Sequence, residues 1–202
     1  MLQRVTPRPL LAFALATFLG AAAPPVTFVP VTPQFAPASD EYRRVWKAGG
    51  ARIVAALEQA AGLPFPAGRI DAIVSESRPM AAYDGRTIRL RAGYSPAYKK
   101  ATLVHELGHR LALAFPRAAG LDDHRLLYLF LYDAWTDLYG QGFADRMVAI
   151  ERRIGPAYEA AWSWALAMSR EQRQARLRVL RVSHHDSRRR AVALLAIDLQ
   201  PG

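Results

Sequence analysis

The sequence predicts an α+β fold, mostly helical, with a small antiparallel or mixed sheet packed on one helix and a helical C-terminal half. Three observations carry this expectation. Only two segments, 69–77 and 86–92, have clear strand character, and the second alternates apolar and basic residues with period two. From Ser95 onward the apolar spacing is helical and is interrupted by Pro116 and Gly140. At 202 residues, 51% of them hydrophobic, the chain suits one domain with a real core.

The elements follow in chain order. Arg4 and Arg8 precede PLLAFALATFLGAAA, an apolar run ending in small residues, which is the layout of a secretory signal. The run is shorter than the roughly 20 residues of a spanning helix. Residues 1–23 are therefore read as a signal peptide, cleaved after Ala22 or Ala23, or as a membrane anchor. Either makes the protein exported: periplasmic, extracellular or membrane-anchored.

Residues 24–39 hold five prolines and read as a Pro-rich linker or an edge segment. Residues 40–202 form the single domain. Ser39 or Asp40 caps a helix that Gly62 and Pro64 end after Ala61, with Gly49 and Gly50 weakening its middle. Asp84-Gly85 favours a hairpin turn between the two strands. The second strand, RTIRLRA, has arginines alternating with Ile88 and Leu90 and reads as a sheet edge. Ser95 and Pro96 open a helix that Pro116 ends, and Asp122 or Asp123 opens another reaching Gly140. Further helices are expected at about 143–153, 157–168, 170–182 and 187–198, with Ser169 and Gln172 at capping-box spacing.

Net charge is +10 at pH 7, which favours anionic surfaces. The arginines are scattered over several helices and only Arg188–Arg190 form a run. The charge thus points to no specific nucleic acid, and leaves a membrane tether or an anionic envelope surface as a partner class. Cysteine is absent. Disulfides, thiolate nucleophiles and Cys-based zinc sites are thereby excluded, so any metal is held by His and carboxylates.

The stretch ATLVHELGHRLALAF, residues 101–115, carries the chemistry. Residues four apart share a helix face, so His105 and His109 can give two nitrogens to one ion, with Glu106 beside it. There Glu106 can hold and deprotonate a zinc-bound water. By chance this pattern arises about once in 240 chains of such composition. Its setting strengthens it, because two histidines and a glutamate on an apolar helix are costly without partners. Gly108 costs about 1 kcal/mol of helix propensity, which is understandable if another element or a substrate approaches there.

A catalytic zinc needs a third protein ligand and an open position. Asp133 and Asp137 are the candidates, four apart in the apolar segment LYDAWTDLYG. Two desolvated carboxylates on one face repel unless a cation lies beside them. One aspartate can ligate while the other accepts the second ring N–H of a ligating histidine.

TLVHELGHRL and YDAWTD together make the chain resemble the zincin metallopeptidases, specifically their gluzincin branch. The resemblance implies a zincin-like domain binding one Zn2+ through His105, His109 and Asp133. It makes Glu106 the general base and Asp137 the partner of a ligating histidine. Arg110 is charged where the family has an uncharged residue, and Asp133 is a methylene shorter than the family's glutamate. A fainter similarity to the aspartate-zincins would make Asp137 the ligand instead. Family members carry a Tyr or His as transition-state donor, for which Tyr139, Tyr158, His184 and His185 are candidates. They also use the strand before the motif helix, here RTIRLRA, to pair with extended substrate. The expected function is a zinc metallopeptidase acting on a peptide or protein substrate. Its alternatives are a non-catalytic basic envelope protein with a structural or relict zinc site, and a cytosolic regulator carrying the same motif.

Overall fold

A computed structural model describes residues 23–115 and 121–182. The expected signal or anchor segment before residue 23, the helix expected over 187–198, and His184 and His185 lie outside the described residues. Among those described, no helix is long and apolar enough to cross a membrane.

The chain enters as β1 (Val26–Pro30), makes a single 3-10 turn at Pro33–Phe35, and runs into α1 (Ala36–Ala61). Much of the proline-rich segment is therefore structured. Pro33 and Pro37 stand in first-turn positions, where no backbone N–H is required, so the helix starts earlier than Ser39. Ser39 instead turns inward and donates to the Phe28 carbonyl at 3.1 Å. Gly62 ends α1 at φ +68°, its N–H bonded to the Glu58 carbonyl, the left-handed cap that glycine accepts at least cost.

Strands β2 (Ile70–Ser75), β3 (Met80–Ala81) and β4 (Thr87–Arg91) complete a four-stranded sheet of order β1-β2-β4-β3. The expected hairpin between 69–77 and 86–92 is corrected here. β2 and β4 pair in parallel, and the Asp84-Gly85 turn joins β4 to the short antiparallel β3. β4 is consequently an inner strand, and the edges are β3 and β1, the latter from the proline-rich segment. The alternation in β4 arises from one-sided burial, which polar alternation reports equally well at a sheet edge or in its middle. Ile70, Ala72, Val74, Ile88 and Leu90 are buried beneath α1 and the following helix. On the opposite face Asp71 sits between Arg69 and Arg86, at 2.6 and 2.7 Å.

The helical half comprises α2 (Pro96–Ala112), α3 (Asp123–Tyr139), α4 (Gln141–Arg152), α5 (Pro156–Leu166) and α6 (170–182). Ser95 caps α2 by accepting from the Tyr98 N–H, and Asp122 caps α3 by accepting from the Arg125 N–H at 2.7 Å. Ser169 and Gln172 bond reciprocally ahead of α6. The central helix is α3, packed against α1, α2, α4 and α5, with Leu127–Leu131, Ala134 and Trp135 inaccessible to solvent.

Gly108 marks the crossing of α2 and α3. A Cβ there would stand 2.6 Å from Leu127 Cδ1, so the missing side chain is what lets the helices approach. At Gly49, also in a helix interior, nothing lies within 4 Å of the corresponding position. Two opposite outcomes are expected from thermal unfolding. Gly49→Ala stabilises by about 0.5–1 kcal/mol through helix propensity. Gly108→Ala loses more to overpacking, about 1–3 kcal/mol, than it gains from the same propensity, and lowers the melting temperature.

Candidate metal centre

Three histidines meet where the first turn of α3 crosses the middle of α2. His105 and His109 are successive residues on one face of α2, and the Asp122 cap holds His124 in the opening turn of α3. The three offer one nitrogen each, all within 4.8 Å of one another. His105 Nε2 and His109 Nε2 face each other at 3.1 Å. Two nitrogens bonded to one tetrahedral zinc at 2.0–2.1 Å lie about 3.4 Å apart, so the pair fits a shared ion with little adjustment. Burial, together with His105, drives the pKa of His109 well below the ordinary imidazole value and that of His124 down to about 4. Both rings are therefore neutral at physiological pH and present a free lone pair.

Behind His105 lies a buried glutamate. Glu151 of α4 is 3% exposed, and its Oε1 accepts from His105 Nδ1 at 2.8 Å. Its Oε2 accepts from the Tyr128 hydroxyl at 2.9 Å and from Trp162 Nε1 at 3.0 Å. Burial alone would raise the Glu151 pKa, but His105, with the Tyr128 and Trp162 donors, holds it below the ordinary carboxylate value. Burial likewise opposes charging of His105, and Glu151 outweighs it, leaving that pKa raised. The Nδ1–H bond to an acceptor orients the ring and leaves Nε2 turned toward His109.

Glu106 is the converse case. It is 3% exposed and lines the cleft over the histidines, yet its Oε2 has no hydrogen-bond partner among the described residues. Burial pushes its pKa up to about 7, assisted by Glu151 and opposed by His105 and Arg78. The cleft, about 820 Å³, has α2 as its floor and residues 78–83 and the start of α3 as walls, with Tyr158 also lining it. Arg78 donates to the Tyr158 hydroxyl at 2.8 Å, and the Tyr158 ring lies 4.5 Å from that of His124.

Of the residues expected from sequence, His105, Glu106, His109 and Tyr158 line one cleft, whereas Asp133, Asp137 and Tyr139 do not. Asp133 is buried in an ion pair with Arg173 of α6, both carboxylate oxygens engaged. Asp137 binds Arg170 through two bonds, at 2.8 and 2.6 Å. Tyr139 packs on Phe143. None of the three lines the cleft. The reason is geometric: Asp133 is nine residues beyond His124, about 13 Å of helix rise, and only the first turn of α3 meets the motif. The side chain that could join His105 and His109 around an ion is therefore that of His124 rather than Asp133, and the carboxylate bonded to His105 is that of Glu151 rather than Asp137. Tyr158, rather than Tyr139, is the tyrosine in the cleft beside His124. Arg110 is not oriented to the cleft either. It donates to the Pro66, Ala67 and Gly68 carbonyls and so ties down the loop before β2.

Compared with models of known protein families, with curated proteins and with solved structures, the chain finds no significant match. His124 had a faint signal in the sequence, being the one further histidine between the motif and residue 184 in a chain without cysteine. Glu151 had none beyond lying four residues after Met147 on an apolar helix face.

Two predictions follow from this arrangement. His124→Ala abolishes stoichiometric zinc binding in a calorimetric titration, whereas Glu151→Gln weakens it by about 10–100-fold. Asp133→Asn strands a buried guanidinium and costs about 3–5 kcal/mol in denaturant unfolding, while the folded fraction still binds one zinc per chain. Loss of that ion from folded Asp133→Asn would restore Asp133 as a ligand.

Proposed function

We propose that this chain is a zinc-dependent hydrolase of metallopeptidase type, with His105, His109 and His124 holding one ion and Glu106 acting as general base. The observation that carries the reading is the unpartnered carboxylate oxygen of Glu106, buried at the floor of a cleft beside three clustered histidines. Leaving a buried carboxylate oxygen unsatisfied costs free energy, and such a cost is usual where a catalytic base must be ready to accept a proton. Three protein ligands leave a fourth position open, which is the catalytic pattern, whereas structural sites use four. Among the described residues the group has three members, which favours an enzyme over an envelope protein with a structural ion.

A divalent ion in this position supplies Lewis acidity and lowers the pKa of water. Glu106, on the cleft floor beside the histidines, is placed to take a proton from water and return it to a leaving amine. Glu151 keeps His105 oriented throughout. Because Arg78 donates to the Tyr158 oxygen, the phenolic proton of Tyr158 remains available to a developing negative charge in the cleft. An extended substrate finds its natural neighbour in β3, the edge strand that lines the same cleft.

The test uses zinc-loaded protein and a mixed library of unstructured peptides, with cleavage read by mass spectrometry. Glu106→Gln is expected to keep its zinc and lose about 10²–10⁴-fold in rate. Tyr158→Phe keeps zinc and affects kcat more than KM. Unchanged hydrolysis in Glu106→Gln would refute the assignment.

A further inference from the structure

The cleft wall nearest β3 carries two arginines with no carboxylate partner among the described residues. Arg78 lies two residues before β3, and Arg89 of β4 is the cross-strand partner of Met80; both line the cleft. Arg78 bonds only to the Tyr158 hydroxyl and stacks over that ring, while Arg89 contacts the Met80 sulfur. Their neighbours behave differently. Arg69 and Arg86 share Asp71, and Arg91 is paired with Glu76. On this small sheet the arginines outside the cleft are neutralised, and the two that line it are not.

The opposite wall has the reverse character. Asp122 and Asp123 line the cleft at the start of α3, but their carboxylates are already engaged. Asp122 caps α3 and faces Arg125, and Asp123 accepts from the Tyr83 hydroxyl at 2.6 Å. The cleft walls are therefore polarised, with positive charge along β3 that forms no ion pair among the described residues and committed negative charge across from it, while Glu106 on the floor lies within electrostatic reach of Arg78. Such a wall attracts an anionic group and fixes which way a substrate lies. The +10 charge of the chain adds long-range attraction of the same sign.

We propose that Arg78 and Arg89 form an anion subsite, and that the cleft selects peptides with an acidic side chain placed alongside β3. The proposal deepens the hydrolase reading and rests on it for the role of the cleft, but its test does not depend on turnover. The probes are pairs of peptides differing only in Asp against Asn, or Glu against Gln, at each position in turn. They are titrated into zinc-loaded Glu106→Gln protein, which binds without cutting. At one position the acidic peptide is expected to bind about tenfold tighter in 50 mM salt, with the preference shrinking in 0.5 M salt. Arg89→Gln reduces that preference at unchanged zinc stoichiometry, and Arg89→Glu reverses it in favour of lysine. Equal affinity of acidic and neutral partners at every position, or a preference untouched by both Arg89 variants, overturns the subsite. Hydrolysis by the wild-type chain is measured separately. Its absence would reject the hydrolase while an acidic preference in binding still supported the subsite.

Discussion

Everything in the candidate centre depends on how closely α2 and α3 cross at Gly108. Without a Cβ at that position, Leu127 packs against the backbone of α2 and the first turn of α3 is drawn over the motif. His124 then joins His105 and His109, and the same crossing puts Tyr128 one turn further along, where it reaches Glu151. A Cβ at Gly108 would stand 2.6 Å from Leu127 Cδ1, so that buried side chain would have to shift where the two helices cross. The propensity cost of a mid-helix glycine is thus offset by a contact that only glycine permits.

Two buried glutamates illustrate how one residue type serves opposite ends. Glu151 has its charge met by His105, Tyr128 and Trp162, in a pocket closed by the stacked Tyr128 and Trp162 rings 3.7 Å apart. A fully satisfied carboxylate of this kind rigidifies its partners. Glu106, one residue from His105, keeps an oxygen without a partner and faces open space. The first is bonded on every side and orients His105, and the second lines the cleft. Their pKa values move apart accordingly, one lowered and one raised, which is the separation expected where environment assigns different roles to like groups.

The aspartates of α3 carry a related lesson. Asp133 is buried and does require a cation, whereas Asp137 is exposed on the surface of the helix. The cation is a guanidinium. Arg173 and Arg170 of α6 neutralise Asp133 and Asp137, and a planar fork matches a carboxylate as well as an ion does. Nothing in the spacing of Asp133 and Asp137 distinguishes a metal from an arginine arriving from a later helix. The partner lies 40 residues away from Asp133, and helix contacts at that distance follow from packing.

The sequence by itself determined the helical half, the caps at Ser95 and Asp122, the glycine stop at Gly62 and the pairing of His105, Glu106 and His109. All of these are local: helical periodicity, capping chemistry and four-residue spacing are written within one element. Only the tertiary structure decided that β4 is an inner strand, that His124 joins the cluster in place of Asp133, and that Glu151 rather than Asp137 orients His105. Strand order, helix crossing and ion-pair partners are relations between distant elements. They are selected by burial and charge satisfaction over the whole chain, where several pairings satisfy the same local pattern and only one packs.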